Sequence, residues 1–206
     1  MSPTLIILIV TVVISIMGLN NPNLLYKLTM SPYAIREKKE YWRFLTSGFV
    51  HNSWMHLGFN MFTFFFFGQA AEQIIGYYSG GSSIQFIVFY LVAIGLSDVP
   101  SYFKNRNSIH YQSLGASGGV TAVVFCSILF NPLNKIYLFG LIGLPGFILG
   151  VLYLIYTINQ SRQMSDNINH MAHLTGAIVG IIYSIFIHPG VVGDFFEKVA
   201  SYKLFG

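Results

Sequence analysis

Charge is scarce in this sequence. Asp, Glu, Lys and Arg together make up 9% of its 206 residues, against about 25% in an ordinary soluble domain. Eighteen charges do not build a polar surface for a chain of this size, which argues against a soluble globular enzyme. Disorder is excluded by the opposite excess, because apolar residues reach 54% and mean hydropathy is +0.61. There is one cysteine, Cys126, so no internal disulfide can form. Set among Val123, Val124, Phe125 and Ile128, it reads as a small buried apolar residue. No basic run or stripe accompanies the net charge of +4, so nucleic acid is not indicated. What is plentiful is aromatic: 19 Phe and 13 Tyr. The composition is that of an integral membrane protein, and the length predicts one membrane domain over residues 1–206.

Six apolar segments follow one another: Pro3 to Leu19, Trp54 to Ile75, Ile84 to Pro100, Gly115 to Phe130, Ile136 to Ile158 and Ile168 to Ile187. The first lacks the basic start and small-residue cleavage site of a signal peptide, so it is expected to be retained. The runs are long and lack period-two alternation, and an open sheet edge is not viable in lipid. Six helices in one all-α bundle are therefore expected, with strands absent and Pro145 as a kink in the fifth. The connection from Asn20 to Ser53 is the most charged stretch, yet it also holds Tyr33, Tyr41, Trp42 and Phe44. Charges mixed with aromatics suit a large first loop lying at the membrane interface. The Val191 to Gly206 tail is expected to carry a short surface helix. No internal repeat is present.

Polar groups in spanning helices are costly, so each asks for a reason. Gly115-Ala116-Ser117-Gly118-Gly119 opens the fourth segment. Its glycines clear the space around one hydroxyl at a helix start, where backbone N–H groups point outward. The same string would also serve close helix packing. The string fits the soluble hydrolase elbow as well, but the apolar surroundings do not suit that fold. His173 lies three residues before Gly176 in the sixth segment, and Gly176 and Gly180 are four apart on one face. A close partner helix would meet an imidazole able to take a proton from a serine. His56 and Asn60, spaced i,i+4, share a face of the second segment and can both donate hydrogen bonds to a developing oxyanion. His51 is expected to hold the loop. Second, fourth and sixth helices of an antiparallel bundle run the same way, so all three clusters fall on one side of the membrane.

Trp42-Arg43, His51, His56 with Asn60, Gly115-Ala116-Ser117-Gly118, and Ala172-His173 followed by Gly176 and Gly180 together resemble the rhomboid intramembrane serine proteases. The resemblance covers about residues 42–180. It implies a six-helix rhomboid-like bundle, with Ser117 as nucleophile and His173 as general base and acid. It implies His56 and Asn60, with the Ser117 backbone N–H, as the oxyanion hole, Trp42-Arg43 in a membrane-embedded first loop, and no metal or organic cofactor. The implied substrate is a single-pass membrane protein with a helix-destabilising segment, cut at a bilayer face. A bacterial plasma membrane is the implied setting, with the active side outward.

Two features depart from the family. Many members carry an aromatic residue four positions after the serine, stacked on the histidine; here Thr121 stands there. And on the family topology 3 Lys and Arg residues fall inside (Lys135, Lys198, Lys203) and 8 outside (Lys27, Arg36, Lys38, Lys39, Arg43, Lys104, Arg106, Arg162), the reverse of the positive-inside rule. An inactive rhomboid-like protein that binds membrane clients is the alternative, although both Ser117 and His173 are retained. A transporter would want inverted repeats or broken helices. A metalloprotease would want His-Glu-x-x-His, which is absent. An aspartyl protease would want two aspartates inside the bundle, whereas Asp98, Asp166 and Asp194 lie at or beyond segment ends, and no motif ties Asp98 or Asp166 to His173.

Overall fold

The first helix, α1 (Pro3–Asn20), starts where the Ser2 hydroxyl accepts the Leu5 N–H and Pro3 fills the first turn. In the computed structural model, which describes residues 1–81, 83–138, 141–163 and 168–202, this helix stops at Asn21. That residue caps the next helix ahead of Pro22. The first loop then folds as α2 (Pro22–Leu28), α3 (Pro32–Lys38), α4 (Arg43–Thr46) and a 3₁₀ turn at Ser47–Phe49. Arg43 holds it together. Buried to 3% exposure, its Nη1 donates to the Tyr26 and Thr29 carbonyls, both at 2.7 Å, and its Nε to Glu40 Oε2 at 2.6 Å. Carbonyls left open at and beyond the end of α2 are thereby satisfied by a cation. Trp42, its neighbour, turns outward and is half exposed, as an interfacial anchor would be.

Helices α5 (Trp54–Tyr78), α6 (Ser83–Ser97), α8 (Ser117–Phe130), α9 (Gly146–Gln163) and α10 (His170–Ile187) complete the bundle with α1; α7 (Val99–Asn105) is a short turn after α6, and α11 (Val191–Ala200) is the expected tail helix. Among the described residues, three stretches, Pro3–Asn20, Ser83–Asn105 and His170–Ile187, are long and apolar enough to cross a bilayer. Outward faces carry apolar side chains such as Ile9, Met17 and Phe186, as lipid requires. The core packs Phe64, Phe86, Phe89 and Tyr90 between α5 and α6 and surrounds α8. Cys126 lies buried in it. Glu72, a carboxylate inside the bundle, accepts from the Thr4 N–H and hydroxyl at 2.9 and 2.6 Å, clamping α1 to α5.

Two expectations are corrected. The fifth segment is not one helix from residue 136. Strands β1 (Lys135–Leu138) and β2 (Ile142–Pro145) form an antiparallel hairpin, and α9 begins only at Gly146. Pro145 is therefore a boundary rather than a kink, since its missing N–H is tolerated at the edge of the helix. The strands obey ordinary rules: Ile136, Tyr137 and Ile142 favour extended backbone, and the Tyr137 ring covers Gly143 opposite it. The third segment ends at Ser97, and Pro100 falls in the first turn of α7.

Helix α8 is central and short. Fourteen residues make about 21 Å, against a hydrocarbon core of about 30 Å. The helix is therefore too short to cross that core by itself. On α10, Gly176 and Gly180 lie against backbone carbonyls of α8. A Cβ at either would stand 2.2 Å from the Gly118 or Ala122 oxygen. This backbone-to-backbone contact is what small residues allow in a membrane bundle.

Candidate active site

A cavity of about 2090 Å³ opens into the bundle, and Ser117, His173, His56 and Asn60 all line it. Small-molecule sites run to about 1,000 Å³, so this one has room for a stretch of polypeptide. Phe59, Phe62 and Phe66 of α5 and Leu152 and Tyr156 of α9 form apolar walls.

Each side chain is carried by a defined start of an element. Ser117 is the first residue of α8, so its backbone N–H has no partner within the helix. His56 is in the first turn of α5, which Ser53 caps by accepting the His56 N–H at 3.2 Å. Asn60, almost fully buried, donates to the His56 carbonyl at 2.9 Å and keeps a second amide hydrogen. The His56 Nδ1 lies 3.2 Å from Asn52 Oδ1. Gly115, at φ +117, lets the imidazole lie against backbone. A Cβ there would be 2.5 Å from His56 Cε1, and the conformation itself disfavours other residues.

His51 stands behind the serine loop. The Ala116 N–H donates to its Nε2 at 3.2 Å, so the ring proton sits on Nδ1 and points to Ser15 Oγ at 2.9 Å. Ser15 in turn donates to the Phe49 carbonyl at 3.0 Å. Burial, reinforced by the neighbouring His56 ring, pushes the His51 pKa down from 6.5 to about 3. Protonation would set an N–H against the Ala116 N–H. Because the folded pKa lies below the unfolded one, this contribution to stability is complete above pH 6.5 and is lost as pH falls from there toward 3. The unfolding free energy of wild type should fall across that window by up to about 1.4 kcal/mol per pH unit. His51→Gln, which keeps an acceptor but does not titrate, should flatten the slope. Equal slopes for the two proteins would contradict the assignment.

The sequence reading missed a second anchor. Asn169 caps α10 by accepting the Ala172 N–H at 3.1 Å, and its amide donates to Asp98 Oδ1 at 3.1 Å. Asp98 also accepts from Ser47 and Ser113, at 3.3 and 3.5 Å. The Gly115 N–H donates to the Ser47 carbonyl at 2.9 Å, and Met30 pairs with Ser113 backbone to backbone. One buried carboxylate therefore joins the first loop, the approach to Ser117 and the cap of the His173 helix. No motif ties Asp98 to His173, and its link to that helix runs through the Asn169 cap rather than to the imidazole. Asn before an apolar run was the available signal, but the partner 71 residues away was not. Asp166 lies outside the described residues. The His173 ring faces the Tyr153 ring at 6.2 Å between centroids and 18° between planes, and His170 edge-on at 5.8 Å. Among the described residues, no group of three or more His, Cys, Asp or Glu is arranged to hold a metal ion.

Fold and site define an integral membrane protein, a helical bundle with a serine, histidines and an amide donor around one cavity. The Rhomboid domain pattern matches residues 38–190, and the chain belongs to the rhomboid family, whose members are generally intramembrane serine proteases. It is 31% identical over 153 residues to Rhomboid protease GlpG of Haemophilus influenzae, a match covering 74% of this chain and 72% of that protein. It is 29% identical over 147 residues to RHOMBOID-like protein 12, mitochondrial, of Arabidopsis thaliana, covering 67% of this chain and 44% of the relative. With Rhomboid-like protein 11, chloroplastic, of the same plant the figures are 27% over 168 residues, 74% and 54%. The chain spans about half the length of these two plant relatives.

Proposed function

We propose that this protein is an intramembrane serine endopeptidase that cuts single-pass membrane proteins, with Ser117 as nucleophile and His173 as general base and acid. The observation that supports it best is the closeness of α8 to α10. The Gly118 carbonyl lies against Gly176, so the residue before the one and the residue three before the other face a common cavity.

In this reading Ser117 Oγ attacks the scissile carbonyl while His173 takes its proton. The new oxyanion is met by the Ser117 N–H, by the second amide hydrogen of Asn60, and by His56 in the tautomer with its proton on Nε2, for which the Asn52 amide turns to donate to Nδ1, in a site of low dielectric. His173 returns the proton to the leaving amine, and the acyl-enzyme is hydrolysed when His173 deprotonates a water. No cofactor takes part. Backbone of a spanning helix is hydrogen-bonded and covered, so the substrate must unwind where it enters, which favours helix-breaking residues near the cut. The walls of α5 and α9 are apolar and suit a lipid-borne segment.

We place the cavity mouth on the outer face of a bacterial plasma membrane, following the family orientation. Arg43 is buried and bound by carbonyls, but setting it aside still leaves 7 Lys and Arg outside against 3 inside, so this placement follows the family orientation and not the charge count.

A serine-reactive phosphonate tests the dyad without knowledge of the substrate. Ser117 should be labelled in folded wild type, and heat-unfolded protein should not react. Asn60→Ala should label and turn over slowly, by about 10²–10³-fold for one lost oxyanion donor. Equal labelling of folded and unfolded protein would refute an activated serine.

A further inference from the structure

We propose that Tyr153 of α9 is the positioning residue of His173, taking over from the other side of the site the place that Thr121 leaves without an aromatic ring. The inference rests on the reading of His173 as the general base. Its own support is independent geometry. The Tyr153 and His173 rings are nearly parallel, 18° apart, with centroids at 6.2 Å, inside the range in which aromatic pairs attract. The Tyr153 hydroxyl lies 3.1 Å from Thr121 Oγ1. Thr121 is one turn below Ser117 and thus on the same face of α8. The threonine therefore does not orient the imidazole; it fixes the far end of the ring that does. Phe125, one further turn along α8, meets the same tyrosine at 6.0 Å. Tyr153 is thus held at its hydroxyl by Thr121 and packed by the tilted Phe125 ring, with the histidine ring parallel to it.

The arrangement has a consequence that an aromatic residue on α8 would not have. Ser117 is on α8, His173 on α10 and the stacking ring on α9, so the base is aligned only while α9 is seated. Tyr153, Leu152 and Tyr156 all line the cavity. A segment entering beside α9 touches the element that orients His173, and occupancy of the cavity and alignment of the base are coupled through one ring.

The test compares wild type, Tyr153→Ala, Tyr153→Phe and Thr121→Tyr/Tyr153→Ala in bilayers, on a cleavable reporter and by the ring-current shift of the His173 ring protons in NMR. Tyr153→Ala should lower kcat by about 10²-fold, the cost of a misplaced reacting group, with KM and Tm unchanged and the ring-current shift lost. Tyr153→Phe keeps the stack, gives up only the Thr121 hydrogen bond, and should stay within a few-fold of wild type. The double variant moves the ring to α8 and should recover both kcat and the shift. Where Tyr153→Ala lowers Tm, Tyr153→Leu fills the space without a π face and should behave as Tyr153→Ala was expected to. Wild-type kcat and an unchanged shift in Tyr153→Ala, or a rise in KM alone, would overturn the proposal while leaving the dyad standing. A wild type inert to both reporter and phosphonate would overturn the dyad and this inference with it.

Discussion

His173→Ala should remove turnover, by about 10⁴-fold or more, while leaving the fold intact. A serine hydroxyl is a weak nucleophile at neutral pH, and the base that activates it also protonates the leaving amine. Members of such a unit are not additive, so Ser117→Ala, His173→Ala and the double variant should sit at nearly the same residual rate. The structural cost is small, because the ring lines a cavity rather than filling the core. Reporter cleavage and Tm, measured side by side, check both halves of the expectation. A His173→Ala protein that retains a tenth of wild-type kcat would remove the imidazole from the mechanism.

Gly176→Val should fail for a different reason, losing both stability and activity. A Cβ at this position would stand 2.2 Å from the Gly118 carbonyl oxygen. The clash is with backbone, which cannot rotate away as a side chain could. Helix α10 must lift from α8, and the separation opens between Ser117 and His173. Overpacking costs typically 1–3 kcal/mol, and about 3 is expected here because two main chains are in contact. Gly193→Ala, on α11 with nothing within 4 Å of its would-be Cβ, is the control and should change neither Tm nor kcat. If Gly176→Val keeps its Tm, the packing account of the α8–α10 contact is wrong.

The bundle was readable because lipid simplifies the problem. Long apolar runs must be helices, and their order follows from the segments alone. The glycines at 176 and 180 marked a close helix contact in sequence, and the structure supplies the carbonyls they meet. Reading failed where the chain leaves that regime. Residues 135–138 and 142–145 are apolar enough to extend a helix, yet their β-branched and aromatic residues pair as antiparallel strands. Hydropathy does not distinguish the two. The catalytic candidates stood out because polar groups in an apolar segment demand a reason. Their supports did not. Asp98 and Asn169 are ordinary polar residues at segment ends, and their hydrogen bond is a fact of tertiary structure. Tyr153 was hidden for the opposite reason, since one tyrosine among 13 carries no signal until its ring is seen parallel to His173.

The measurement that bears most directly on the whole account is cleavage of a single transmembrane helix with a Gly-rich, helix-breaking segment. The reporter is reconstituted in liposomes with pure wild type or with Ser117→Ala. Wild type should release two fragments cut at the unwound segment, and Ser117→Ala, equally folded, should release none. Fragments in equal yield from both proteins would contradict a serine nucleophile at position 117 and the mechanism built on it.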